Sequence, residues 1–373
     1  MTKNSAREAN KLSTTSIAAL TSLIALAFLS APIAAVADDP HTPVPDPVAN
    51  TDSPAMQKGE KLYAQMKVKE AIDQFRECTR LEPDNAKAHQ RLGAVLAAHD
   101  EYETAILEEL QAAKLDPKYF LPHIILGQVY ADQDKYEQAV AEFKIATTLK
   151  PTSYRAHNDL GLALTHVGQL DAAIAAYKKS AELNDKDPTP HLNLGVLYAQ
   201  KNDYTNAIKE ENAAIELNKN VPVSYVNLGN IYADANDPEK AIDAFQTALK
   251  LSPKHPNALS GMGWMAGKKG DTKGDIEYQR KALKSDPSFE PAHRRLAEAL
   301  CQSGDKKGAY AEFQAALKGN PNDVTALVQY AECLVKNGQN DDAISQYKKA
   351  IEINPNLKIA QDGLSNLNKN KKQ

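Results

Sequence analysis

Gly59, Gly93, Gly127, Gly161, Gly195, Gly229 and Gly263 stand 34 residues apart, and two further steps land on Ala297 and Ala331. The period runs through nine units without insertion or deletion. A chain built this way has no single central core. Each unit must bury its apolar face on its neighbours, which restricts the fold to a stacked array.

Other columns keep the same step. Ala71, Ala105, Ala139, Ala173, Ala207, Ala241, Ala309 and Ala343 form one, with Asp275 as the exception. Phe75, Phe143, Tyr177, Phe245, Phe313 and Tyr347 form an aromatic one, broken by Glu109, Glu211 and Gln279. Within a unit, Leu160, Ala163, Leu164 and Val167, then Ala173, Ile174 and Tyr177, recur at helical spacing. Between the two runs lies a column of Asp100, Asp134, Gly168, Asn202, Asn236, Gly270, Gly304 and Gly338. These residues tolerate the positive φ that caps a first helix. A column from Pro83 to Pro355 then stops most second helices, because proline cannot continue them. The glycine column lets the paired helices approach closely.

The pattern "LGQVY…AVAEF…P" from Leu126 to Pro151 resembles the tetratricopeptide repeat family, and the likeness covers residues 52–357. It implies an all-α, right-handed α-solenoid of nine helix–turn–helix units. It also implies that first helices line a concave face that binds extended or helical peptides. The family has tryptophan where this chain has His89, His123, His157, His191 and His293. Residues 358–373 are expected to be a capping helix and polar tail, since the last repeat would otherwise expose its stacking surface.

The first 37 residues are a separate object. Lys3, Arg7 and Lys11 precede an apolar stretch from Ile17 to Leu29, and Ala35-Val36-Ala37 offers a small-residue cleavage site. This is the pattern of a secretory signal, with an uncleaved membrane anchor as the rival. Cleavage after Ala37 leaves a chain of charge about −6. Pro40, Pro43, Pro45 and Pro47, with Pro54 just beyond, make residues 38–51 a stiff linker. The expected location is periplasmic or secreted.

The whole chain carries −4 and only 6% aromatic residues, which gives no basis for nucleic-acid binding. Three cysteines do not make a disulfide framework. Cys78 reads as a small core residue. Cys301 and Cys333 fall on neighbouring helices; a bridge stays open, but its demanding geometry weighs against it.

The histidine column invites a metal reading. Helices pack about 8–10 Å apart, whereas zinc holds its ligands at about 2.0–2.1 Å. Successive histidines are therefore too distant to share an ion, and they read as packing residues. No phosphate loop, Gly-x-Ser-x-Gly or His-Glu-x-x-His motif is present, so no catalytic, cofactor or metal residue is assigned. First-helix residues off the packing columns are the candidate partner-binding set: Asn158, Asn193, Asn227, Asn230, Trp264, Arg294 and Arg295. The asparagines offer a donor and an acceptor to a peptide backbone. The arginines would extend the groove for an acidic segment. Trp264 reads either as an interface anchor or as packing. Residues 256–289 hold five glycines and are expected to be the soft unit.

The expected function is a non-catalytic scaffold or adaptor for a protein or peptide partner. The rivals are a membrane-tethered envelope, secretion or polysaccharide assembly factor, and an accessory subunit of an enzyme complex.

Overall fold

The structure, a computed structural model, describes residues 53–370. The expected signal segment 1–37, the linker 38–51 and the tail 371–373 lie outside it. The described residues form nineteen helices and no strand. They divide between residues 197 and 198 into two compact units.

The first unit holds α1 (Pro54–Ala64), α2 (Val68–Leu81), α3 (Ala86–Ala97), α4 (Tyr102–Leu115), α5 (Leu121–Asp132), α6 (Tyr136–Leu149), α7 (Tyr154–His166) and α8 (Leu170–Leu183). Helix α9 (Thr189–Gln200) runs across the division. The second unit holds α10 (Tyr204–Leu217), α11 (Pro222–Asp234), α12 (Pro238–Leu251), α13 (Pro256–Lys268), α14 (Thr272–Ser285), α15 (Glu290–Ser303), α16 (Lys306–Gly319), α17 (Val324–Lys336), α18 (Asn340–Ile353) and α19 (Lys358–Asn370). Odd helices are the first of a pair and even ones the second. Within each unit a second helix packs on its own first helix and on the next one, and successive first helices also touch. This is the helix-pair packing of an α-solenoid.

The turn inside each pair follows the expected column. Asp100, Asp134, Asn202 and Asn236 have φ of 57–63°, and Gly168, Gly270, Gly304 and Gly338 have φ of 74–91°. The next backbone N–H then donates to the carbonyl five residues back, as in Glu101 to Leu96 at 3.0 Å and Lys135 to Tyr130 at 2.8 Å. That bond closes the first helix. Met66 occupies the same column at φ 60° and was not anticipated, although it lies one period before Asp100.

The glycine column faces the aromatic one. A Cβ placed on Gly59, Gly127 or Gly229 would sit 2.5–2.6 Å from Cε1 of Phe75, Phe143 or Phe245. Glu109, Glu211 and Gln279 occupy the same slot and are also fully buried. Neither carboxylate oxygen of Glu109 has a hydrogen-bond partner. Burial pushes both glutamates well above the usual carboxylate range. An uncharged carboxyl is the form such a slot tolerates.

The histidines are structural ties. Nδ1 of His89, His123 and His293 lies 2.6–2.7 Å from a carboxylate oxygen of Glu108, Glu142 and Glu312, nineteen residues on in the second helix. Nε2 of His89, His157 and His293 faces the carbonyl of Pro83, Pro151 or Pro287, at 3.0–3.1 Å. Tyr225 and Gln361 reach the carbonyl six residues back in the same way. The column thus joins the incoming turn, the first helix and, where a glutamate is available, the second helix.

Cys78 is buried and carries a free thiol, as expected. The expectation that weighed against a bridge between Cys301 and Cys333 is corrected: the two are joined, with Cα atoms 6.1 Å apart. They face each other from consecutive first helices, α15 and α17. That places their Cα atoms within the 4.4–6.8 Å such a bond needs.

Candidate partner-binding faces

In the first unit, first helices are laced by polar pairs. Arg91 Nε lies 2.7 Å from Glu60 Oε1. Gln128 Nε2 donates to Asp159 Oδ2 at 3.3 Å. Asn158 Nδ2 donates to Asp159 Oδ1 at 3.5 Å, and Asn193 Nδ2 to Asn158 Oδ1 at 3.2 Å. Asn158 and Asn193 are half-buried and already bonded to one another. Burial raises Asp159 to about 6 against the pull of these donors. Gln128 Oε1 is buried and has no hydrogen-bond partner among the described residues.

The second unit carries a different set. Asn227 is not an open amide, which corrects its reading as a concave-face contact. It is buried, and its Nδ2 donates to Glu211 Oε1 at 2.8 Å, between α10 and the first helix of the next pair. The polar substitution in the aromatic slot has drawn it inward. Asn230 is half-buried. Arg294 is 4% exposed, with Nε 3.5 Å from Asp323 Oδ2 and Nη1 donating to Gln329 Oε1 at 3.4 Å. It is a tie between α15 and α17 rather than a free cation. Gln329 Nε2 also donates to Glu298 Oε2 at 3.4 Å.

Trp264 is half-buried and packs on the cluster that contains Ala258 and Met265. Lys268 Nζ lies 4.7 Å from its ring centroid and Arg295 Cζ 4.4 Å. Lys268 comes from the next turn of α13 and Arg295 from α15. Such cation–π contacts stabilise by about 0.5–2 kcal/mol each. Trp264 therefore packs, one of the two readings open in the sequence, and it also displays two cations. Asp234 and Asp275 complete the cluster. Burial raises Asp234 to about 7 and Asp275 to about 6, with Lys268 and Arg295 opposing the first, and Gln279 then Arg295 opposing the second. Burial, then Arg294, holds Arg295 down to about 10.

Sequence reasoning missed Asp234, Lys268 and Asp275. The signal lay in offsets other than 34. Glu60–Arg91, Gln128–Asp159, Trp264–Arg295 and Glu298–Gln329 are all 31 residues apart. Asn158–Asn193 and Arg294–Gln329 are 35 apart. Side chains of neighbouring first helices meet one turn back or one residue forward of the same column.

Among the described residues no group of three or more His, Cys, Asp or Glu side chains is arranged to hold a metal ion. No helix among them is long and apolar enough to cross a membrane.

This helix-pair array agrees with the comparisons. Tetratricopeptide repeat family models match residues 56–120 and 126–189, and residues 198–353. The chain belongs to the tetratricopeptide repeat family. Its fold is similar to that of a tetratricopeptide repeat protein from Parabacteroides merdae ATCC 43184, with TM-score 0.57 and 17% identity over 66% of this chain and 98% of that one. It is also similar to a chain of the APC/C hetero-tetramer Cut9–Hcn1, with TM-score 0.57 and 16% identity over 80% of this chain; it spans 59% of that chain's length. Among curated proteins nothing matches.

Proposed function

We propose that the protein is an exported, non-catalytic scaffold whose first helices hold a protein or peptide partner. The observation that carries this reading is the Trp264 cluster, a half-buried indole with two cations on a helix face. Aromatic and arginine side chains in such settings dominate binding energetics. The amide ladder around Asn158 and Asn193 supports backbone recognition in the first unit. The Cys301–Cys333 bridge supports export, since disulfides persist in oxidising compartments.

Capture of partners on the immobilised full chain tests the reading. Trp264→Ala is expected to weaken retention by about 2 kcal/mol or more. Asn158→Ala with Asn193→Ala is expected to cost about 0.5–1.5 kcal/mol per lost hydrogen bond. Circular dichroism should show both variants folded. Equal retention by wild type and both variants would move the site off the first-helix faces. Cell fractionation and the mass of the recovered chain test export and cleavage after Ala37; a full-length chain in the cytoplasm rejects both.

A further inference from the structure

Lys268 and Arg295 share one indole yet have no carboxylate within 4.0 Å; among the described residues neither forms an ion pair. Most other cations on these faces are spoken for, as in Arg91–Glu60 and Arg294–Asp323. Lys268 gives one weak hydrogen bond, from Nζ to the Ala233 carbonyl at 3.4 Å. Its side chain is exposed, while Trp264 and Arg295 are half-buried. Two cations gathered on an apolar plate with no carboxylate in contact make a preformed slot for an anionic group.

We propose that Trp264, Lys268 and Arg295 bind a carboxylate side chain from an acidic, partly apolar segment of the partner, and that Asp234 and Asp275 gate the slot. The proposal rests on the reading that the first-helix face of this unit binds the partner. The carboxylate lies between the two cations, and a neighbouring apolar side chain covers the indole edge. A purely polyacidic segment fits less well, because Glu298 and Glu332 lie further along the same line of first helices.

The gate follows from the groups around the slot. Asp275 faces it from α14, its carboxylate against Gly263 and Gly267, the neighbours of Trp264 and Lys268. Asp234 faces it from α11, next to Ala233, whose carbonyl takes the Lys268 bond. Glu298 and Arg294 face it from α15, and Asp271 stands beside Asp275 at the start of α14. With Asp234 near 7 and Asp275 near 6, both are ionised at pH 8 and compete for the cations. At pH 5.5 Asp234 is protonated and Asp275 mostly so, and the slot becomes net positive. The sign is therefore tighter binding of an acidic segment as pH falls from 8 to 5.5.

Trp264 is the only tryptophan, so fluorescence excited at the red edge, where the chain's 15 tyrosines absorb little, reports this site. The probe is the blocked peptide Ala-Leu-Glu-Glu-Leu-Ala, titrated into the full chain beside twins with Lys-Lys or Gln-Gln at the centre. The expected result is a saturable emission change with the acidic peptide only. It should weaken with salt and be roughly three- to tenfold tighter at pH 5.5 than at pH 8. Asp234→Asn should tighten binding at pH 8 and remove part of the pH dependence, and Asp234→Asn with Asp275→Asn should remove most of it. Arg295→Gln should abolish the response, and Lys268→Gln, at an exposed position, should weaken it at least threefold. A lysine twin that binds as well as the acidic peptide overturns the proposal. So does a response that survives in both Arg295→Gln and Lys268→Gln. If a captured partner is lost in Trp264→Ala while the acidic peptide gives no response, this proposal falls and the face remains a binding face. If capture is indifferent to every face variant, the broader reading falls instead.

Discussion

The second and third repeats of the first unit share a backbone frame and differ in what fills it. Gly127 faces Phe143 across α5 and α6; Gly93 faces Glu109 across α3 and α4. A Cβ on either glycine would strike the facing side chain at 2.5–2.6 Å, so the helices approach equally closely around a phenyl ring or a carboxyl group. Helix α4 also turns two leucines outward, with Leu107 67% and Leu110 46% exposed, while Glu109 is buried. The frame is therefore dictated by backbone-controlling columns: close-approach glycine, left-handed turn and terminal proline. Side-chain filling is a separate, variable term. A solenoid tolerates a poor filling because each repeat leans on neighbours that are well filled.

The largest effect is expected from emptying the good slot. Phe143→Ala should cost about 3–5 kcal/mol, as for buried aromatic truncations in general. Urea unfolding of the full chain measures it. A loss below about 1 kcal/mol would mean that the neighbours, rather than the aromatic column, hold the frame.

Relieving the poor slot comes next, and it has a pH signature. Burial raises Glu109 in the folded state, with Glu108 adding to the rise and Arg91 opposing it. A raised carboxyl stabilises the fold fully below its unfolded value near 4.3 and loses that contribution as pH rises. Glu109→Gln should therefore match wild type near pH 4 and gain on it by about 1–3 kcal/mol towards pH 8. Comparing the two proteins cancels the remaining titrations. A gain that does not change with pH would show that Glu109 titrates alike in the folded and the unfolded chain, and so reaches water.

A smaller contrast concerns Gln279 in the second unit. Its Nε2 is bonded to the Ser260 carbonyl and to Asp275, while its Oε1 has no partner. The surrounding repeat carries Gly261, Gly263, Gly267, Gly270 and Gly274, and each helical glycine weakens a helix by about 1 kcal/mol relative to alanine. Amide exchange should be faster across residues 256–289 than across 120–197. Equal protection would show that stacking overrides the composition of a single repeat.

Much of this was legible because a fixed period turns a sequence into a table of equivalent positions. The left-handed turns at Asp100, Asn202 and Gly304 could be read off as a column, since few residues tolerate that φ. The candidate site was less legible. Asn227 looked like an open amide, but its fate depended on a glutamate sixteen residues earlier, which is visible only once the slot is known to be interior. Arg294 and Arg295 are neighbours in sequence, yet one is tied to Asp323 and the other lies over Trp264. Consecutive helical residues point about 100° apart, so adjacency says little about shared role.

The smallest expected effect is also the most specific test of equivalence between repeats. His157 keeps the bond from its ring to the Pro151 carbonyl that His89 and His293 make to Pro83 and Pro287. The residue nineteen positions on, where the others have Glu108 and Glu312, is Ala176. Burial lowers the pKa of His157, with Lys179 adding to that effect and the bond to Pro151 opposing it. Since the ring is already held in the shared orientation, Ala176→Glu should supply the missing acceptor for Nδ1. The gain is expected at about 0.5–1.5 kcal/mol, accompanied by an upward shift of the His157 titration measured by NMR. Ala176 is 7% exposed, so the new side chain must reach the histidine to avoid a buried, unpaired charge. A double-mutant cycle with His157→Leu isolates the pair from that cost. A stabilisation that persists in the His157→Leu background, or a His157 titration that does not move, would show that the tie depends on the fit of each repeat and not on the column.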